Sequence, residues 1–409
     1  MTGVSGAALE RRLGAGDAVT IGLGSMLGAG VFAVFAPAAE AAGGGLLPAL
    51  AIAGLVAYGN ATSSARLAAR YPASGGTYVY GRERLGPFWG YLAGWGFVVG
   101  KTASCAAIAL TFAAYVAPSQ QRVVAAAAVL ALTALNYVGV HKSLVATRVL
   151  VAATLCTLAV VVVAGFTEGG HGIGAPTGPH GVLQAAGLLF FAFAGYARVA
   201  TLGEEVRDPA RTIPRAIPVA LGITLAVYLL VAVASLVALG PEALAAAPDP
   251  LRAVVAAGDL AAAVPVVRIG AALATLGSLL ALLLGVSRTT LAMARDHNLP
   301  PALAAVHPRW HVPHRAEVAV GLLVAVLVLA VDLRGAIGFS SFAVLTYYAI
   351  ANASALTLPG RAAGRVPPVV GLVGCVLLAV NLPWTSVAVG AGVLAVGIAI
   401  RVVRLRRAG

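Results

Sequence analysis

The chain has 409 residues, of which 60% are hydrophobic and 10% charged, and its mean hydropathy is +0.95. A soluble domain carries about 25% charged residues, so this composition excludes a water-soluble globule. The net charge of +13 points either to an acidic partner or to an oriented membrane protein.

Apolar runs of membrane-crossing length recur at 17–42, 46–68, 87–116, 121–139, 144–166, 181–203, 213–239, 266–293, 316–332, 335–358, 366–382 and 384–402. They predict an all-α membrane protein of 12 transmembrane helices, one polytopic domain over 1–409 with no separate soluble domain. The first run is too long for the core of a cleavable signal. With the N-terminus inside the cell, 21 Lys and Arg residues fall on cytoplasmic segments. Only Arg122, Arg252, Arg268 and Arg334 fall outside, while Lys101 and Arg198 lie within the membrane. This asymmetry is the positive-inside rule. It predicts a cell-membrane protein with both termini cytoplasmic, and it removes nucleic acid as a partner, since no single basic patch is needed to explain the charge. Cys105, Cys156 and Cys375 are odd in number, lie in apolar runs and lack metal spacing. They read as small buried hydrophobes.

The first run carries Gly22, Gly24, Gly28 and Gly30 within nine positions, each weakening a helix by about 1 kcal/mol relative to alanine. Its 26 residues would extend about 39 Å as straight helix. The hydrocarbon core is about 30 Å, so several residues can unwind and the run still spans. The other reading of Gly24 and Gly28 is a small-residue packing face. A dinucleotide fingerprint is excluded, because no βαβ unit surrounds these glycines.

The sixth run repeats the pattern with Gly187, Phe190-Phe191-Ala192-Phe193-Ala194-Gly195-Tyr196 and then Arg198. Disrupted runs at matching places in two halves are the sequence mark of a transporter site between inverted repeats. Residues 17–166 and 181–358 would be the two five-helix repeats, and 366–403 two additional helices. Residues 240–264 are expected to form an interfacial helix pair on the outer face, and the charged stretch from Glu204 to Arg215 a cytoplasmic loop.

Four ordered motifs resemble the amino acid–polyamine–organocation (APC) superfamily. They are Gly22 to Phe32; Tyr71 to Trp95 with Gly75-Gly76-Thr77-Tyr78 and Gly86-Pro87-Phe88-Trp89-Gly90; Phe190 to Ile217; and Ser287 to Arg315. The resemblance covers about residues 15 to 360. It implies a LeuT-like 5+5 inverted repeat with discontinuous helices 1 and 6, and transport of amino acids or related amines.

A zwitterion needs donors for its carboxylate and acceptors for its ammonium. The unwound first run offers amides at Ala29 and Gly30 beside a positive helix end, and Gly28 lets a solute approach closely. The resemblance places the carboxylate there and the ammonium on carbonyls of Met26, Phe191 and Ala194. Gly195 and Thr102 complete the expected binding set. Phe191 is the expected gate, with Phe193 and Tyr196 as further candidates; an aromatic run of this kind is otherwise packing.

Lys101 sits in the middle of the third run, where a charge costs about 3 kcal/mol or more. Proton-coupled relatives use a lysine in helix five. Aligning Gly139, Val140 and Ser143 with that helix puts Thr154 at the position, so the usual lysine is missing. Lys101 is expected to replace it as proton carrier or fixed cation, near Ser278; the other readings are a structural cation or a residue touching substrate. Arg198 stands next to where many relatives carry glutamate, and its structural reading is a partner for Glu205. Two buried cations without a midplane carboxylate, Asp17 and Glu40 being at the ends of their run, favour a neutral amino acid over arginine or a polyamine.

His297, His307, His311 and His314 sit in a cytoplasmic loop that the family pattern explains, so no metal or cofactor is expected. No nucleophile–base pair or phosphate loop is present, which argues against an enzyme or an ATP-driven pump. The expectation is therefore a proton-coupled carrier, with a non-proton-coupled exchanger and a channel as alternatives.

Overall fold

The structure, a computed structural model, describes residues 13–71, 75–139, 144–167, 170–200, 206–359 and 362–408. The first run is split into α1 (Ala15–Met26), α2 (Gly30–Ala33) and α3 (Phe35–Ala42). Then follow α4 (Leu46–Arg70), the short α5 (Thr77–Leu85), α6 (Pro87–Val116), α7 (Gln121–Tyr137) and α8 (Leu144–Thr167). The sixth run is also split, into α9 (Pro179–Phe193), a 3-10 turn at Ala194–Tyr196 and α10 (Ala197–Ala200). The second half continues with α11 (Pro209–Ala246), α12 (Pro250–Ala256) and α13 (Val264–Arg295). It ends with α14 (His314–Ala330), α15 (Leu333–Leu356), α16 (Val366–Asn381) and α17 (Trp384–Ala408). Among the described residues, eight helices are long and apolar enough to cross a membrane.

The sequence sets the helix ends. Pro87, Pro179 and Pro209 open α6, α9 and α11, where the missing N–H has no helical partner to lose. Gly240 interrupts α11 at φ 71, ψ 167, a conformation only glycine adopts without strain, and Pro241 restarts the helix. The expected interfacial pair is thus the final turn of α11 followed by α12. Asp249, buried ahead of α12, accepts from Arg252 Nη2 at 2.9 Å. The Leu251 amide donates to Tyr115 Oη at 3.2 Å, and that hydroxyl donates to the Phe32 carbonyl at 3.2 Å. The segment therefore caps α2.

Within lipid, helices associate through close packing and small residues rather than through the hydrophobic effect. Here the buried side chains form two main clusters. One is built largely from α1–α4, α9, α11, α15 and α16. The other joins α6, α7, α13 and α14 and includes Ala29 from the gap between α1 and α2. Residues 170–178 fasten the α3–α4 turn, with the Gly44 amide donating to Ala175 at 3.0 Å and the Thr177 amide to Ala42 at 3.1 Å.

Some sequence expectations fall outside the described residues: Pro72 to Ser74 of the second motif, Val140 and Ser143 of the helix-five alignment, and Glu205 as the partner of Arg198.

Candidate functional site

The last helical bond of α1 runs from the Leu27 amide to the Leu23 carbonyl at 2.7 Å. Leu27, Gly28 and Ala29 then cross, fully buried, to α2. Among the described residues the amides of Gly28 and Ala29 have no hydrogen-bond partner. A buried amide without a partner costs about 1–3 kcal/mol, so two adjacent ones are free to donate to an anionic group.

The second break lies directly against the first. A Cβ on Gly195 would stand 2.1 Å from the Ser25 carbonyl oxygen and 2.9 Å from the Met26 nitrogen. One on Gly30 would stand 2.6 Å from Ala192 Cα. The two interrupted helices touch backbone to backbone, a contact that only glycine at 30 and 195 permits. The sequence marks each break separately; the packing joins them.

Two of the three carbonyls expected to receive an ammonium, those of Met26 and Ala194, already hold a side-chain donor. Tyr228 Oη lies 2.5 Å from the Met26 oxygen and 3.2 Å from the Ala192 oxygen. Tyr348 Oη donates to the Ala194 oxygen at 3.2 Å. Each carbonyl keeps a second lone pair, so capping steadies the break and leaves an acceptor. Sequence reasoning missed both tyrosines. The available signal was a single Tyr228 within the aliphatic stretch Leu225 to Val233. Tyr228→Phe should leave two buried carbonyls short of a donor, at about 1–3 kcal/mol. Thermal unfolding of the purified protein should show a lower Tm, with uptake reduced in parallel.

The three aromatics separate by environment. Phe193 is fully buried, edge-on to Tyr228 with ring centroids 5.2 Å apart. Tyr196 is fully buried against Tyr348 at 5.0 Å. Phe191 is half-buried and packs on both main clusters.

Ser278, on α13, stands against the first break: a Cβ on Gly28 would meet its Oγ at 1.9 Å. Lys101 is 8% exposed in the middle of α6, and among the described residues it has no hydrogen bond or ion pair. It shares a helix face with Cys105 one turn on. Cys105 packs in the cluster with Leu279 and Leu283, so that face is turned to the helix carrying Ser278. Thr102 Oγ1 donates to the Val98 carbonyl at 2.7 Å, and Thr154 Oγ1 to the Leu150 carbonyl at 2.8 Å. Both hydroxyl protons are used locally, while the oxygens can still accept. Arg198 is exposed.

One carboxylate escaped the sequence reading, which weighed only Asp17 and Glu40. Glu317, in the first turn of α14, is 1% exposed and accepts from Asn136 Nδ2 at 2.9 Å and from Ser287 Oγ. It ties α14 to α7 and α13. The ends of the first run are also tied, with Asp17 to Arg148 of α8 at 2.6 Å and Glu40 to Arg334 of α15. In the loop before α14, His307 Nδ1 accepts from the amides of Arg309 and Trp310 at 3.2 Å each. Among the described residues no three His, Cys, Asp or Glu side chains group as a metal site.

Two helices broken at matching places and packed break to break are the architecture of a secondary transporter. The fold matches that of MhsT in its crystal structure with L-phenylalanine, with a TM-score of 0.66 at 15% identity over 93% of this chain and 100% of that one. That is the LeuT-like fold. The Amino acid permease family pattern spans residues 17–359, and the chain belongs to this family of transporters. An uncharacterized transporter of Mycobacterium tuberculosis is 66% identical over 96% of this chain and 90% of its own length. The vacuolar cationic amino acid transporter 2 of Arabidopsis thaliana is 32% identical, covering 86% of this chain and 60% of itself. The branched-chain amino acid permease BcaP of Bacillus subtilis is 27% identical over 93% and 90%.

Proposed function

We propose that the chain carries a neutral amino acid across the cell membrane by alternating access, driven by protons. The observation that carries this reading is the pair of buried, unpartnered amides at Gly28 and Ala29, set where the two breaks meet. They receive the substrate carboxylate, together with Gly30. The remaining lone pairs on Met26 and Ala194 receive the ammonium, and Phe191 closes over the side chain. The chain crosses the membrane twelve times, as repeats 17–166 and 181–358 plus the helices of 366–403, with the arginine-rich face and both termini in the cytoplasm.

Charge supports the neutral preference. Lys101 lies buried near the site with no carboxylate partner among the described residues, and Glu317 is already held by Asn136 and Ser287. A cationic side chain would meet repulsion there. The named relatives divide between cationic and branched-chain substrates, while MhsT was crystallised with phenylalanine. In a thermal-shift screen, alanine, leucine or phenylalanine should raise Tm by several degrees and arginine or putrescine by less than one. The reverse order would overturn the charge argument.

The two apolar clusters suit a rocking motion, with α1–α4, α9 and α11 moving against α6, α7, α13 and α14. Phe191 and Ala29 lie at the junction. A channel would need a continuous polar path, whereas here the first run is tied at both ends by Asp17–Arg148 and Glu40–Arg334. Saturable counterflow in proteoliposomes supports a carrier; unitary currents would support the channel. Exchange without protons is separated from symport by the pH-gradient experiment on Lys101 variants described in the Discussion.

A further inference from the structure

Away from the breaks, a cavity of about 530 Å³ opens at the arginine-rich end, between α5, the start of α6, the turn after α13 and the last turns of α17. Its one carboxylate, Asp296, is paired with Arg82 and Tyr78 through Oδ2. Tyr78 Oη donates to Asp296 Oδ2 at 2.5 Å, and Arg82 Nη1 reaches the same oxygen at 2.9 Å. Burial, together with the bond to Asp296, pushes the Tyr78 hydroxyl up to about 12, so it stays a neutral donor.

Two further guanidinium groups line the cavity. Arg401 donates to Asn298 Oδ1 at 3.1 Å and lies 5.0 Å from the centroid of the Tyr91 ring. Those contacts aim the group without neutralising it. Arg404, one turn on, has no ion pair or hydrogen bond among the described residues. Neither arginine meets a carboxylate among those residues. Paired guanidinium forks in a recess match the oxygens of a phosphate. The lining includes the apolar Pro87 and Leu405, the latter 60% exposed, and Trp89, two residues beyond Pro87 at the foot of α6, is 43% exposed. Tryptophan at a helix end is the anchor of a membrane interface.

We propose that this cavity binds the phosphate of an anionic phospholipid from the inner leaflet, with Arg401 and Arg404 holding the headgroup and the exposed face of α17 carrying its chains. Basic pockets between helices on the cytoplasmic side recognise lipid headgroups in this way. The proposal goes beyond the transport reading, and depends on it only for the leaflet that supplies the lipid.

The test is titration of the purified full-length chain in detergent with phosphatidylglycerol, phosphatidylcholine or inorganic phosphate, followed by thermal shift. Phosphatidylglycerol should raise Tm by several degrees, and phosphatidylcholine and inorganic phosphate should not. Arg404→Gln should weaken phosphatidylglycerol binding about fivefold, and the double change with Arg401→Gln about 25-fold. Arg404→Gln removes no contact seen among the described residues, so it keeps the test valid if Arg401→Gln disturbs the fold. Wild-type affinity in Arg404→Gln, or an equal response to phosphatidylcholine, would overturn the proposal. So would a full response to inorganic phosphate, which would assign the cavity to a soluble phosphate ester, or no response to phosphatidylglycerol at all.

Discussion

Gly195→Ala is expected to lower substrate uptake about 5- to 150-fold while the protein still reaches the membrane. The added Cβ would lie 2.1 Å from the Ser25 carbonyl oxygen, and that oxygen belongs to backbone with no rotamer to change. Relief requires the two breaks to separate, and overpacking of this kind costs about 1–3 kcal/mol. Gly30→Ala should behave alike, since its Cβ would meet Ala192 Cα at 2.6 Å. Gly222→Ala is the control: its Cβ would meet nothing within 4 Å, and alanine is the better helix former. Uptake in proteoliposomes, normalised to inserted protein, reads all three. Normal transport by Gly195→Ala and Gly30→Ala would show that the contact between the breaks is not needed.

Lys101→Ala should abolish accumulation driven by a pH gradient while leaving counterflow of labelled substrate largely intact. Lys101 lies in the interior without a partner among the described residues, and a buried lysine is tolerated if its proton can leave. One proton per substrate across a gradient of one pH unit sustains about tenfold accumulation; the variant should fall to about onefold. Lys101→Arg keeps the charge but cannot release it, so it should also lose the pH response. A fixed structural cation predicts rescue by arginine instead. Unchanged pH dependence in both variants would remove Lys101 from coupling.

The breaks were legible because their cause is local. Four glycines in nine positions weaken the helix locally; Gly22 and Gly24 stay helical in α1, and the chain gives way at Leu27 to Ala29, around Gly28, while Gly195 among aromatics marks the same weakness in the sixth run. The run at 87–116 matches α6 at both ends, with Pro87 opening the helix, whereas the run at 213–239 falls short of α11, which extends from Pro209 to Ala246 across Gly240. What the sequence could not supply was partnership. Nothing in Leu225 to Val233 says that Tyr228 will span Met26 and Ala192, because those contacts join residues 202 and 36 positions apart. Glu317 was passed over for a related reason. Its place three residues into α14 reads as a helix end, yet Asn136 and Ser287 from two other helices bury it. Ser278 was named for its position on span eight, and its approach to Gly28 is a fact of packing.

The most direct measurement of the central claim is a cryo-EM map of the purified protein saturated with the neutral amino acid that gives the largest thermal shift. Density for the substrate carboxylate is expected within hydrogen-bonding distance of the Gly28, Ala29 and Gly30 amides, with the substrate side chain beneath Phe191. Substrate density elsewhere in the molecule, with residues 27–30 and 194–196 packed shut against each other, would contradict it.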